Sequence, residues 1–398
     1  MAVARVEGSQ TCEGMDLEEI GKPAFLRVPP APHEALKQNK VRRILRFSVL
    51  TETPMTFSCD YFKKLKWYGD FKLYDSNHRM INYLRLSVTD RCNLRCIYCM
   101  PEEGIRFTPH GEILSYEEML HTVRLCAQVG IRKVRLTGGE PLVRKGILQF
   151  IERLCNTEGL EEISLTTNGV LLKDMARDLR RCGICRINVS MDTLRRDRFY
   201  NITKRDYFER VWEGIEEAES AGFHPIKLNV VAIKGMNDDE IPDFAGLTFR
   251  KPYHVRFIEL MPVGEKNAWT SERFLSIGEI LDAIRPLGPL RAVNSGPLDG
   301  PAERYTLEGA LGEIGLIGAL SHHFCEKCNR LRLTADGRMR GCLFSDQETD
   351  IKTPLRQGRG DKHLLEIIAN TILNKPHDHG LTEFQPRKCV RSMNSIGG

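Results

Sequence analysis

The chain has 398 residues, 41% hydrophobic and 28% charged, with a formal net charge of +5. That length and composition fit a soluble α/β protein of one large domain with extensions, or of two domains. They exclude a membrane span, because no apolar run approaches the ~18 residues a bilayer needs. The mild positive charge does not by itself mark a nucleic-acid binder, but it suits an anionic small substrate. Thirteen cysteines without a signal peptide argue against secretion and a disulfide framework, and for metal or reduced thiols.

Residues 1–74 carry no periodic pattern. Lys22 to His33 is Pro-rich, Lys40 to Arg46 is basic, and the first twenty residues hold Glu7, Glu13, Asp16, Glu18 and Glu19. An import presequence is acid-poor, so the stretch reads as a flexible extension. From Ile81 the pattern changes. Leu84, Leu86 and Val88 alternate in a first strand. Further strands are expected over Lys133–Thr137, Glu162–Thr167, Arg186–Met191, Ile226–Ile233 and His254–Leu260. Helices are expected over Tyr116–Val129, Gly146–Leu154, Lys173–Arg181, Phe208–Ala221 and Asp239–Phe249. Six strands alternating with helices imply a parallel sheet with right-handed crossovers, either open or closed into a barrel.

The first strand runs into Cys92-x₃-Cys96-x₂-Cys99, within RCNLRCIYCMP. Three thiolates in eight residues suit three irons of a [4Fe–4S] cube and leave the fourth iron open. A zinc site wants a fourth ligand, and none follows closely. After the second strand comes Thr137-Gly138-Gly139-Glu140-Pro141, where paired glycines allow close backbone approach; Glu140 is expected to face an ammonium. Polar residues are expected in phase at later strand ends: Thr166-Thr167-Asn168-Gly169, Ser190-Met191-Asp192, Lys227-Leu228-Asn229 and Arg256-Phe257-Ile258-Glu259. Cys182 and Cys185 flank a helix-capping Gly183 and read as core residues beside a turn. The isolated Cys12, Cys59, Cys126, Cys155 and Cys389 read as small hydrophobes or incidental surface residues.

A second triad, Cys325-x₂-Cys328-x₁₃-Cys342, again lacks a fourth cysteine. His322 and His323 keep zinc open on spacing alone. Between its ligands lies Cys328-Asn329-Arg330-Leu331-Arg332, and on an extended segment the two guanidiniums point to one side. Such pairs suit phosphate oxygens.

Taken together, CNLRCIYCMPEEG, LTGGEP, Lys227-Leu228-Asn229, VRFIELMP, CEKCNRLRLTADGRMRGCLF and the Arg391–Gly398 tail resemble the GTP 3′,8-cyclase (MoaA) family of molybdenum cofactor biosynthesis. Coverage runs from about Asp75 to the C-terminus. The resemblance implies a partial (β/α)₆ radical S-adenosylmethionine (SAM) barrel over 75–265, and an auxiliary-cluster and GTP-binding region over 266–398. It implies two [4Fe–4S] clusters, one on Cys92, Cys96 and Cys99 and one on Cys325, Cys328 and Cys342. Tyr98, Gly139, Ser190 and Met261 then fall to SAM. Arg85, Arg135, Thr166, Lys227, Arg330, Leu331 and Arg332 fall to GTP. The implied chemistry is release of a 5′-deoxyadenosyl radical, removal of the ribose 3′ hydrogen and closure of a C3′–C8 bond, with guanine at the open iron of the second cluster. Implied partners are an electron donor protein and the cyclic pyranopterin monophosphate synthase that takes the product, with a homodimer as an open alternative. The mitochondrial matrix is the expected location, the cytosol the alternative. A radical SAM peptide-modifying enzyme and a non-enzymatic zinc or iron–sulfur module are the competing readings. The family's Asp-x-x-Gly-Arg appears here as Asp75-Ser76-Asn77-His78-Arg79, which puts the local turn geometry in doubt.

Overall fold

Apolar alternation from Tyr83 onward becomes a run of parallel strands: β1 (Tyr83–Ser87), β2 (Lys133–Thr137), β3 (Glu162–Thr167), β4 (Arg186–Ser190), β5 (Lys227–Ala232) and β6 (His254–Glu259). The computed structural model describes residues 73–264, 268–294, 296, 298–381 and 389–397. They belong to one compact unit. The N-terminal extension, its Pro-rich and basic runs, Cys12, Cys59 and Gly398 lie outside the described residues. Among those described, no helix is long and apolar enough to cross a membrane.

The connecting helices are α1 (Tyr116–Gln128), α2 (Ile147–Cys155), α3 (Leu172–Arg181), α4 (Arg196–Thr203), α5 (Phe208–Ser220) and α6 (Ile241–Arg250). Helix α1 starts where it does because Ser115 and Glu118 form a reciprocal capping box. Helix α4 was not expected from the pattern: its sequence RDRFYNIT buries only Phe199, Ile202 and Thr203. It nevertheless supports the first triad, since Arg95 and Ile97 donate their backbone N–H to the carbonyls of Thr203 and Ile202.

Strands β1 to β6 pair in sequence order, and each outer side is covered by a strand from the C-terminal part. On one side β10 (Arg330–Leu333) lies parallel to β1, placing Arg330 beside Tyr83 and Arg332 beside Arg85. It continues antiparallel into β11 (Arg338–Arg340) and β12 (Thr349–Asp350). On the other side β9 (Glu313–Ile317) lies parallel to β6 and leads through β8 (Glu303–Leu307) to β7 (Leu290–Val293). The twelve-stranded sheet therefore ends at β12 and β7 and does not close into a full barrel. Helices α7 (Ile277–Ile284), α8 (Lys352–Arg356), α9 (Asp361–Leu373) and α10 (Met393–Ile396) complete the order.

Each strand divides its residues by parity. Leu84, Leu86, Val134, Leu136, Leu165, Leu331 and Leu333 are buried in one apolar core with the helices. Tyr83, Arg85, Arg135, Thr166, Arg330 and Arg332 face a cavity instead. Each fully buried Leu or Val contributes roughly 1.5–3 kcal/mol, which helps offset a polar interior. Two expectations change here. Cys182 is half-buried but Cys185 is exposed, because the inward position of that turn goes to Ile184. His78 adopts a left-handed φ of 60°, the conformation a glycine would favour. The turn is kept by Asp75, whose Oδ1 accepts the N–H groups of Asn77 and Arg79.

Candidate active site

The first triad sits on the loop after β1. Its thiols are free and half-buried. Cys92 Sγ accepts the backbone N–H of Leu94 at 3.4 Å and an amide N–H of Asn168 at 3.6 Å. Arg95 folds beneath the loop and donates to the carbonyls of Cys92 and Leu94 at 2.8 and 2.7 Å. Burial pushes all three thiols up: Cys92 to about 11, Cys99 to about 12 and Cys96 well above its ordinary value. The neighbouring thiols add to the shift of Cys96 and Cys99, so the three stand within one another's field. That arrangement fits a cube that spreads its thiolates over separate irons.

The GGEP turn braces this loop. Gly139 donates its N–H to the Thr89 carbonyl at 2.7 Å, and Glu140 donates to Arg91 at 2.8 Å. A Cβ on Gly139 would lie 2.3 Å from the Arg91 carbonyl oxygen, which is why glycine is needed there. Glu140 does not project toward a ligand as expected. Its buried carboxylate accepts the N–H of Leu142 at 3.0 Å, the hydroxyl of Thr167 at 2.8 Å and the N–H of Asn168 at 2.7 Å. Burial raises its pKa to about 7. Its role is to tie the β2 turn to the β3 turn.

One cavity is lined by Tyr98, Ser190, Asp192 and Met261 and by Cys325, Cys328 and Cys342, with Arg85, Arg135, Arg256, Arg330 and Arg332 among its walls. Tyr98 donates its hydroxyl to Asp192 at 2.6 Å, and burial lifts the Asp192 carboxyl to about 6. Arg135 donates to Tyr83, and to Thr166 at 3.4 Å. Burial, then mutual repulsion, lowers the pKa of Arg85 and Arg256 to about 10 and that of Arg332 well below its ordinary value. Cations held together against both burial and each other favour an anion among them.

Around the second triad, Cys325 opens a short 3₁₀ turn that Cys328 caps, and Cys342 follows β11. Burial alone would raise Cys328, but Arg330 and Lys375 outweigh it and bring its thiol down to about 6. Arg330 also stacks over Phe324, 4.8 Å from the ring centre. Arg332 donates to the Gly397 carbonyl at 2.8 Å, and Arg85 reaches the same oxygen at 3.4 Å. Gly397 has φ +74°, and a Cβ there would lie 2.6 Å from Thr137 Oγ1. Asn394, one helical turn earlier, donates to the Asp90 carbonyl at 2.8 Å, and its backbone N–H reaches Cys99. The C-terminal tail thus touches both ends of the site. Among the described residues no set of three His, Cys, Asp or Glu side chains is arranged to hold a single metal ion.

Many residues expected at the site converge here, but Cys92, Cys96 and Cys99 do not line the cavity, which the first triad's loop meets through Tyr98, and neither do Leu331, Gly139 and Lys227. Leu331 points to the opposite face of β10 and is fully buried in the core, leaving only its backbone toward the site. Gly139 packs against the loop of the first triad. Lys227 is not at the strand's far end but begins β5, beside Asn188 and His254. Burial, then Arg256, Arg135, Arg186 and Lys133, pull it down to about 6. Sequence reasoning missed Tyr83, whose phenol is lowered to about 7 because Arg135, Arg85 and Lys133 overcome the effect of burial. It also missed Arg79, which donates to the carbonyls of Cys325, His377 and Pro376 at 2.7, 2.8 and 2.6 Å. The Asp75–Arg79 spacing was the available signal for Arg79; Tyr83 was readable only as the partner of Arg85 in strand parity.

Comparison with known proteins agrees with this geometry. Residues 86–248 match the model of the radical SAM superfamily, and residues 253–381 match that of the Molybdenum Cofactor Synthesis C family. The crystal structure of Streptococcus suis SuiB bound to precursor peptide SuiA is similar in fold, with a TM-score of 0.53 and 12% identity over 81% of this chain and 76% of that one. Fold and site define a radical SAM enzyme. The GTP 3′,8-cyclase of Pelotomaculum thermopropionicum is 50% identical over 325 residues, covering 81% of this chain and 99% of the relative. That of Thermodesulfovibrio yellowstonii is 52% identical over 326 residues with the same coverage. The chain belongs to the GTP 3′,8-cyclase family.

Proposed function

We propose that the chain converts GTP into (8S)-3′,8-cyclo-7,8-dihydroguanosine 5′-triphosphate, the first stage of molybdenum cofactor biosynthesis. The observation that carries this reading is the convergence of Arg85, Arg135, Arg256, Arg330 and Arg332 on one cavity that Cys325, Cys328, Cys342 and Tyr98 of the first triad's loop also line. Five guanidiniums there match a triphosphate far better than a peptide. Cys92, Cys96 and Cys99 would hold one [4Fe–4S] cluster, and Cys325, Cys328 and Cys342 a second. When bound, the first cluster and SAM together supply a carbon-centred radical able to remove the 3′ hydrogen of GTP.

The protein's own part is positioning. Tyr98, Ser190 and Met261 line the end of the cavity assigned to SAM, with Gly139 behind the loop. Arg85, Arg135 and Arg332 would neutralise the triphosphate, with Thr166 orienting it and Lys227 and Arg256 adding charge from below. Arg330 would serve both the substrate and the Cys328 thiolate. Guanine would then lie toward the second triad. Ile258, Leu260 and Phe344 give that cavity apolar walls, which exclude water from a reactive radical. A one-electron donor protein, hand-off to a cyclic pyranopterin monophosphate synthase, a homodimer and a mitochondrial location accompany the reading on family resemblance alone.

Anaerobic incubation with GTP, SAM and dithionite, followed by mass analysis, tests it. The expected products are 5′-deoxyadenosine and a cyclised nucleotide isomeric with GTP. Deoxyadenosine without any GTP-dependent product would overturn the assignment.

A further inference from the structure

Tyr83 opens β1 with its side chain buried in the wall of the arginine-lined cavity. Strand parity puts Arg85 on the same face, and the parallel register sets Lys133 of β2 and Arg330 of β10 on either side of it. The phenol oxygen accepts the Nε–H of Arg135, and Arg85 hydrogen-bonds it as well. Lys133 Nζ stands 5.0 Å from the ring centre and the Arg135 guanidinium 5.8 Å. Arginine and lysine only donate. Among the described residues the hydroxyl donates to no acceptor, so this oxygen is held entirely by donors. Two further cations act on it, Arg330 and, from β6, Arg256. The nearest carboxylates are taken: Glu162 on β3 pairs with Lys133 at 2.8 Å, and Asp299 with Arg304 at 3.1 Å. Of the two that line the cavity, Asp192 accepts from Tyr98 and Val231, and Glu259 from the backbone N–H groups of Ile277, Leu320 and Ser321. Burial alone would raise the phenol, but Arg135, Arg85 and Lys133 outweigh it and bring it down to about 7.

We propose that Tyr83 is the built-in counter-anion of the arginine cluster: its phenolate holds Arg85 and Arg135 in place before nucleotide binds, and it takes up a solvent proton when a triphosphate enters. This rests on the reading that places the triphosphate of GTP among these arginines. Guanidiniums buried together repel one another, and one anion hydrogen-bonded to two of them relieves that repulsion. A polyanion arriving on the same guanidiniums disfavours the phenolate, whose oxygen is neutralised by forming an O–H bond with a proton from water. Negative charge is thereby exchanged rather than added, and Tyr83 acts as a positioning residue through Arg85 and Arg135.

The test follows the near-ultraviolet band of tyrosinate in anaerobically reconstituted protein, as the difference between wild type and Tyr83→Phe, with inorganic triphosphate as a transparent probe. Burial pushes the phenols of Tyr98, Tyr116 and Tyr253 up, so a tyrosinate that forms near neutral pH belongs to Tyr83. The band should grow in with a midpoint at about pH 7 and be lost when triphosphate saturates the protein one unit above it. The second readout is the GTP affinity of Tyr83→Phe relative to wild type. That ratio should rise about tenfold from roughly pH 6 to pH 8, because only the wild type must protonate a phenolate to bind. Lys227 and the nucleotide's own protons titrate in both proteins and cancel in the ratio, and a merely structural role for the hydroxyl would leave it flat. A flat ratio, or a tyrosinate band that bound triphosphate leaves unchanged, overturns the proposal. If Tyr83→Phe does not fold, the wild-type band with and without triphosphate decides alone. Competition separates the two readings. If inorganic triphosphate does not displace GTP, the placement of the triphosphate among these arginines falls and this inference with it. If it displaces GTP while the band persists, only the inference falls.

Discussion

The first triad occupies one loop, Cys92 to Cys99, whose thiols are pushed up by burial with little cationic help. The second gathers Cys325, Cys328 and Cys342 from two turns around β10 and β11, and there Arg330 and Lys375 bring Cys328 down to about 6. Thiols must lose their protons to bind iron, so the first site favours its ligands neutral until metal arrives, whereas the second holds one thiolate ready. The difference teaches how the two ends are wired. The first is braced by backbone and by Glu140, Asn168 and Arg95, none of which faces the substrate. The second shares Arg330 between the Cys328 thiol and the cavity, so on the proposed reading cluster ligation and substrate grip are coupled there.

The largest expected effect comes from removing a ligand at each end. Iron should fall from about eight to about four per chain in both Cys99→Ala and Cys342→Ala. Cys99→Ala should abolish SAM cleavage; Cys342→Ala should retain cleavage by dithionite and lose the nucleotide product. Loss of cleavage in both, with four irons left, would erase the proposed division of labour. Next, Arg332→Ala should raise the GTP dissociation constant by about 10–100-fold, the loss of one or two charge-assisted hydrogen bonds, while SAM affinity stays within about twofold.

A third effect concerns Lys227, held near pH 6 in the free site. A bound triphosphate raises that pKa, so above pH 6 binding takes up a proton. GTP affinity should therefore fall by up to about tenfold per pH unit as pH rises above 6. Calorimetry in buffers of different ionisation heat should show proton uptake in the wild type and less of it in Lys227→Met; no difference would remove Lys227 from the substrate's field. For the free protein the sign reverses. Between about 6 and the ordinary 10.5 the unfolded chain holds a proton the folded one lacks, so this group's contribution to stability grows with pH. The smallest effect is at the turn that holds Arg79 to Cys325. His78→Gly should relieve the left-handed backbone and stabilise the protein by about 0.5–1 kcal/mol, read as a rise in melting temperature; a fall would show that the His78 side chain supports the turn.

Much of the barrel was legible because its elements repeat. The bounds expected for Lys133–Thr137 and Glu162–Thr167 match β2 and β3, where apolar residues end abruptly at glycines or polar turns. Arg330 and Arg332 point to one side, as strand parity requires. What parity could not supply was the partner: pairing β10 with β1 is a contact across more than two hundred residues, invisible to local pattern. Helix α4 escaped notice because six of its eight residues are not carbon-rich anchors and its packing stripe is short. Glu140 was misjudged for a related reason. The GGEP motif locates a turn, but whether a carboxylate faces a ligand or caps backbone N–H groups depends on where the β3 turn arrives.

The pairing of β1 with β10 also sets an order of assembly. During synthesis the first cysteine loop and the six strands that shape it leave the ribosome long before residue 330, and until then β1 presents an unpaired edge. The strands and loop that carry the first triad are therefore made before the arginines of β10, and the contacts of Asn394 with Asp90 and Cys99 come last of all. A chain cut short before β10 would present an exposed sheet edge and lack the tail contacts at the first triad, which makes it an aggregation hazard. Completion of the polypeptide from β10 onward is what converts that half-built state into an enzyme with a target.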